Sequence, residues 1–258
     1  MPPADTLASS LPLSPLAGTS YDAQWAELDD FIRYNPGARH RRRLLLSMVK
    51  GLSFQSVADV GCGPGETLLS LLKHYPRLQH LSGFDFAEET IASNRQRLPG
   101  IHFGFLDIQK GPGDGQYDLV ICSEVIEHLD NQPLAVQHLA KMVKPGGHLL
   151  LSCPTGKIYP TEVNFGHVKH PTLQDMAALA RQAGLTLKKT RNWGWPLYKL
   201  QKAATNVNAD WAIRQFASGR YSTTKKWLNN LLYWVNFCNL SLDQQGCQLF
   251  VLMQKQGQ

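Results

Sequence analysis

Short apolar runs and amphipathic stretches take turns along most of this chain. Val57–Val60 is a compact apolar run, followed by a stretch from Glu66 whose Leu68, Leu69, Leu71 and Leu72 recur at helical spacing. The same alternation predicts strands over 80–85, 102–106, 117–123, 148–152 and 185–190. It predicts helices over 87–98, 132–142 and 172–184. The loop Gly111-Pro112-Gly113-Asp114-Gly115 and the turn Lys144-Pro145-Gly146-Gly147 punctuate the series, and Gly184 caps the last of these helices. Ahead of the first strand, 21–50 reads as helix, broken into two pieces by Asn35-Pro36-Gly37. Strands and helices in strict alternation imply an α/β fold, a parallel sheet wrapped on both faces.

The rhythm fails over 193–242. This stretch is rich in aromatic residues, among them Trp193, Trp195, Tyr198, Trp211, Trp227, Tyr233 and Trp234, and it precedes a last apolar run over 246–254. It is predicted to be a helical insertion before the final strand. Three roles fit: a substrate lid, extra core or dimer surface, and contact with a membrane surface. Residues 1–20 are rich in Pro, Ser and Ala and lack a basic start, so a flexible tail is expected rather than a signal peptide. The organisation is therefore a tail over 1–20 and one domain over 21–258.

Composition narrows the class only a little. With 258 residues and 43% hydrophobic content, the chain suits one α/β domain with additions. The formal charge of +6 permits an anionic partner without demanding one. The 5 cysteines are widely spaced, form no C-x-x-C pair, and read as small buried residues in a reducing, cytoplasmic setting. No apolar run is long enough to span a bilayer. The basic run Arg39-His40-Arg41-Arg42-Arg43 reads as a solvated helix face or as a contact for an anion.

Chemistry concentrates at Val57-Ala58-Asp59-Val60-Gly61-Cys62-Gly63-Pro64-Gly65-Glu66-Thr67. A strand, a turn with three alternate glycines and a helix make a nucleotide-binding crevice, where close backbone approach needs glycine. The spacing is Gly61-x-Gly63-x-Gly65, with Asp59 ahead of it and Asp85 ending the next strand. This stretch resembles motif I of the class I S-adenosylmethionine-dependent methyltransferases, and the likeness runs from about Arg39 to Gly184. The resemblance implies a Rossmann-like doubly wound seven-stranded sheet with the last strand antiparallel, and S-adenosyl-L-methionine as cofactor. Asp59, Gly61, Gly63 and Gly65 would hold the methionine part, and Asp85 the ribose hydroxyls. Phe86, Asp107 and Ile108 would hold the adenine, with Ser123 ending the fourth strand beside them.

Beyond Ser123 comes Glu124-Val125-Ile126-Glu127-His128, whose i, i+3, i+4 spacing would put two carboxylates and an imidazole on one face of a helical turn. With His167 downstream, the set resembles the Glu-x-x-Glu-His turn and later His of two groups that hold a divalent ion. These are the ubiquinone-biosynthesis O-methyltransferases and the small-RNA 2′-O-methyltransferases. His167 matches that downstream position better than His170. The implied ligands of Mg²⁺ or Mn²⁺ are Glu124, Glu127, His128 and His167; without an ion, His128 or His167 would serve as general base. The expected activity is O-methylation of a small-molecule hydroxyl. RNA 2′-O-methylation and a non-catalytic cofactor-binding scaffold are the alternatives. The basic run carries no interleaved aromatic residues, which argues against nucleic acid. A homodimer is left open.

Overall fold

The computed structural model describes residues 29–216, 220–242 and 244–257, so the predicted tail over 1–20 lies outside it. Helices α1 (Asp29–Tyr34) and α2 (Pro36–Val49) lead into the sheet. They break where the sequence requires. Pro36 has no N–H to donate, and the Asn35 side chain accepts the Ala38 N–H at 3.0 Å. Then follow β1 (Ser56–Val60), α3 (Glu66–His74), β2 (His80–Asp85), α4 (Glu88–Arg97), β3 (His102–Phe105) and β4 (Tyr117–Ser123). A 3₁₀ turn at Ile126–His128 precedes α5 (Gln132–Lys141), β5 (Val143–Pro154), α6 (Pro160–Asn164), α7 (Leu173–Gln182) and β6 (Leu185–Trp195). The insertion supplies α8 (Leu197–Thr205), α9 (Ala209–Phe216), α10 (Thr223–Val235) and the short β7 (Leu240–Ser241) before β8 (Gln248–Lys255).

The sheet has 8 strands in the order β3-β2-β1-β4-β5-β8-β6-β7. Strands β1 to β5 are parallel, and β8 runs antiparallel to both β5 and β6. The expected seven-stranded plan is therefore present with one addition, the two-residue edge strand β7 paired to Trp193 and Trp195. Two boundaries differ from expectation. β6 runs on through Trp193 to Trp195, because both tryptophans sit opposite partners in β7, and the insertion starts at Pro196 rather than at Trp193. β5 starts at Val143, since residues 144–147 form an irregular bulge, with Gly146 at φ 77°, instead of a loop.

Side-chain alternation builds a core on each face. Val57, Leu119, Ile121 and Leu150 face α2, α3 and α4 through Leu44, Met48, Leu68, Leu71 and Ile91. Ala58, Val120, Cys122 and Leu149 face α5 and α7 through Val136, Leu139, Met176 and Leu179. Four of the cysteines are buried as expected, Cys238 is exposed, and none is bridged among the described residues. At the opposite end of the sheet from the glycine turn, Asp118 accepts the Gln55 and Ser56 N–H groups at 2.9 Å and pairs with Lys144 at 2.8 Å. No helix among the described residues is long and apolar enough to cross a membrane.

Candidate active site

The glycine turn lies between β1 and α3, at the carboxyl end of the parallel strands where open sheets bind ligands. Gly61, Gly63 and Gly65 have φ of 73°, 47° and 80°, a region that side chains with Cβ disfavour. At Gly61 a Cβ would also lie 2.1 Å from Val125 Cγ2. The turn is pinned from β2: the Phe84 carbonyl accepts the Gly61 and Cys62 N–H groups at 2.7 and 3.0 Å. Asp85 accepts the Gly63 N–H at 2.8 Å and the Ala87 N–H at 3.1 Å. Buried Asn94 completes the clamp by donating to the Gly63 carbonyl at 2.7 Å. Its role had no sequence signal, because a lone Asn in a polar helix looks like solvent-facing composition.

Asp59 is buried, and burial first, then the Asp85 charge, pushes its carboxyl pKa up to about 8. Phe86 stands 49% exposed just past Asp85. Asp107 accepts the Gln109 N–H at 3.1 Å and pairs with Lys110 at 3.2 Å, so it caps its own turn. The Ile108 carbonyl accepts from His138 Nδ1 at 2.7 Å. Ser123 and Ser152 hydroxyls are 2.7 Å apart at the ends of β4 and β5.

The helical-face argument for Glu124 does not hold in the structure. Glu124 has φ 60° and precedes the 3₁₀ turn, so it does not share a helical face with Glu127. Its carboxylate instead accepts from Arg41 at 2.9 Å, Gln248 at 2.7 Å and Ser152 at 3.3 Å. Glu127, His128 and His167 do converge, with one ligand atom of each lying within 4.8 Å of the others. Glu127 is 0% exposed, and neither carboxyl oxygen has a hydrogen-bond partner among the described residues. Burial first, then the neighbouring Glu124 charge, raises its pKa well above the usual carboxyl range.

The histidines form a relay whose tautomers follow from their partners. The Gly156 carbonyl lies 3.2 Å from His170 Nδ1, which must therefore carry the proton, leaving His170 Nε2 as an acceptor. His167 Nδ1 lies 2.9 Å from that atom and so donates to it. His128 Nδ1 donates to the Gly166 carbonyl at 3.2 Å. Both His128 and His167 thus present Nε2 lone pairs. Burial keeps both rings neutral: it lowers the His128 pKa, and with His128 and His170 nearby it takes His167 down to about 2. A second group, Glu162, His167 and His170, adjoins the first, and Glu162 is held by Lys202 of α8 at 2.6 Å.

The basic run is not a plain solvated face. Arg41 reaches into the site, whereas Arg39 lies over Tyr233 at 3.7 Å and Arg43 over Phe237 at 4.5 Å. His40, between them, is fully buried against Trp193, Tyr233 and Phe237. The run is the seam between α2 and the insertion.

A family model described as a methyltransferase domain matches residues 31–190, the span that carries the glycine turn, the strand-end acidic residues and the histidine cluster. The chain belongs to the methyltransferase-domain family. It is an S-adenosylmethionine-dependent methyltransferase. Among curated relatives it is 28% identical over 194 residues to the ubiquinone biosynthesis O-methyltransferase of Acinetobacter baumannii, covering 66% of this chain and 80% of that one. It is 26% identical over 141 residues to the trans-aconitate 2-methyltransferase of Rhodopseudomonas palustris, covering 55% and 54%. The N-methyltransferase NodS of Bradyrhizobium japonicum, solved with S-adenosyl-L-homocysteine, superposes with a TM-score of 0.55 at 16% identity, covering 91% of this chain and 97% of that one. At that identity the likeness is one of fold.

Proposed function

We propose that this methyltransferase transfers the methyl group to a hydroxyl oxygen of a small molecule, assisted by a divalent ion held by Glu127, His128 and His167. The observation that carries the reading is Glu127, a carboxylate fully buried without a partner among the described residues, facing two imidazoles. Leaving such a group unsatisfied costs about 1–3 kcal/mol, a cost that a ligand for it would offset. The carboxylate oxygen suits Mg²⁺ or Mn²⁺, while the two imidazoles favour the softer of these, Mn²⁺. Glu124 drops out of the expected set and serves to position Arg41. A bound ion of this kind supplies Lewis acidity that lowers the pKa of an acceptor hydroxyl.

The chain's own residues do the rest by positioning. Gly61, Gly63 and Gly65 present backbone to the methionine part, with Asp59 behind them. Asp85 takes the ribose hydroxyls. Phe86 lies along the adenine, with Asp107, Ile108 and Ser123 beyond. His170 holds His167 through Nδ1, and Gly166 holds His128, so neither ring must reorient to use its Nε2. Helix α8 serves as the lid over this end of the sheet. It leaves β6 at Trp195, Lys202 pairs with Glu162, and Tyr198 feels the charges of Lys202, Arg41 and Glu124. With all four arginines of the basic run engaged in contacts within the chain, little cationic surface remains there for RNA.

The test is methyl transfer from tritiated S-adenosylmethionine to a catechol, a carboxylic acid and a short RNA, before and after chelation. Catechol turnover that falls with EDTA and returns with Mg²⁺ or Mn²⁺ supports the reading. Full turnover after exhaustive chelation removes the ion and leaves His128 or His167 as general base. Methylation of the acid or the RNA alone removes the small-molecule hydroxyl as acceptor.

A further inference from the structure

Helix α10 has two unlike faces. One packs on α2: Asn230 accepts from Arg39 at 2.7 Å, and the Tyr233 carbonyl lies 2.8 Å from His40 Nε2. The other carries Trp227, Leu228, Leu231, Trp234 and Val235, spaced i, i+1, i+4, i+7, i+8, which is a single stripe on a helix. Trp227 and Trp234 are 64% and 67% exposed, and Leu231 is 45% exposed. Exposed Phe237, Leu240 and Leu242 extend the apolar surface past the helix end. No charged residue interrupts the stripe. A contiguous apolar surface of this kind marks a contact site rather than ordinary exposure.

Charge indicates what covers it. Residues 193–242 hold Lys199, Lys202, Arg214, Arg220, Lys225 and Lys226 against Asp210 alone, a net +5 out of the chain's +6. Lys202 and Lys226 are paired with Glu162 and Asp30 from outside the segment, while Lys199, Arg214 and Arg220 are exposed. A second copy would bring like charge against like charge, whereas an anionic lipid surface is complementary. With 13 residues, α10 is about 20 Å long, too short to span a bilayer but suited to lie in its plane. Its two exposed tryptophans stand about 10 Å apart along the axis, and indole rings favour the headgroup level.

We propose that α10 docks the enzyme on an anionic bilayer, its Trp227–Trp234 stripe lying in the headgroup–acyl boundary. The inference is independent of the metal site. Helix α2, on which α10 packs, also carries Arg41 into the active site, so docking sets that site one helix away from the lipid.

The test is flotation of the full chain with vesicles of phosphatidylcholine, alone or equimolar with phosphatidylglycerol. Wild-type protein is expected to float with the anionic vesicles and much less with the neutral ones. Trp227→Ser/Trp234→Ser should lower the partition coefficient at least tenfold, with unchanged melting temperature and S-adenosylhomocysteine affinity. Wild-type protein that stays with the buffer overturns the proposal, as does a double variant that floats like wild type. So does sedimentation equilibrium showing a dimer that the double variant dissociates, because the stripe would then be covered by a second copy. If the double variant melts early, Leu231→Lys on the same face must lose flotation instead.

Discussion

Replacing Glu127 by Met separates a metal ligand from a buried acid that merely tolerates its place. In the folded chain the carboxyl is 0% exposed, and no partner among the described residues offsets its desolvation. Its own backbone N–H and the Arg41 charge favour the ionised form, but burial and the Glu124 charge outweigh them. An unsatisfied buried polar group costs about 1–3 kcal/mol, and Met fills similar space without that cost. At about 2–4 °C per kcal/mol for a chain of this size, metal-free Glu127→Met should melt about 2–12 °C above metal-free wild type. Excess ion should reverse the order. Ligand at a hundred times its dissociation constant stabilises the native state by about 2.7 kcal/mol, so Mn²⁺ should raise the wild-type melting point by several degrees and leave the variant unmoved. The pH dependence has a fixed sign. A carboxyl whose folded pKa is raised favours the protonated form, so apo wild type loses stability as pH rises above the unfolded value of about 4.3, and the variant does not. Differential scanning calorimetry of chelated and Mn²⁺-loaded samples reads all three effects. A variant that melts lower without metal, beside a wild type indifferent to Mn²⁺, refutes the reasoning.

Gly61→Ala puts a Cβ against Val125 at a φ of 73°, costing about 1–2 kcal/mol in backbone strain before the overlap is counted. S-adenosylhomocysteine affinity by calorimetry should fall at least tenfold, and an unchanged affinity would place the cofactor elsewhere. His40 is held neutral by burial, its pKa lowered from 6.5 to about 4, so its contribution is complete above pH 6.5 and declines as pH falls towards 4. The full shift is worth about 3 kcal/mol, and His40→Phe should flatten the fall in chemical-denaturation stability across that window by up to this amount. Tyr198 packs on Trp193 with ring centroids 4.9 Å apart, so Tyr198→Ala should cost about 3 kcal/mol by urea unfolding. Trp195→Ala at the start of the lid should instead raise acceptor KM with cofactor affinity unchanged; equal KM for both proteins removes the lid role at Trp195.

The sheet was legible because its signals are local. Val57–Val60 reads as a buried strand from its own residues, and the glycines at 61, 63 and 65 announce a turn that only positive φ can make. What sequence spacing missed depends on contacts between distant segments. Glu124 looked like a partner of Glu127 on one helical face, but at φ 60° its carboxylate bonds to Arg41 and Gln248, which are 83 and 124 residues away. The run from Arg39 to Arg43 has the composition of a solvated face, and it becomes a seam because Tyr233 and Phe237 of the insertion close over it. β6 outran its predicted end for the same reason, since β7 pairs with it from residues 240–241. The His167–His170–Gly156 relay spans two loops, and periodicity carries no information about it.

The most direct test of the account is isothermal calorimetry of S-adenosylhomocysteine on the wild-type chain and on Asp85→Ala. Asp85 ties Gly63 and Ala87 together in the crevice and is assigned the ribose. The account predicts one site per chain in the wild type, and an affinity lower by a few kcal/mol in the variant, on the order of two charge-assisted hydrogen bonds. Wild-type affinity retained in a folded Asp85→Ala protein would contradict it.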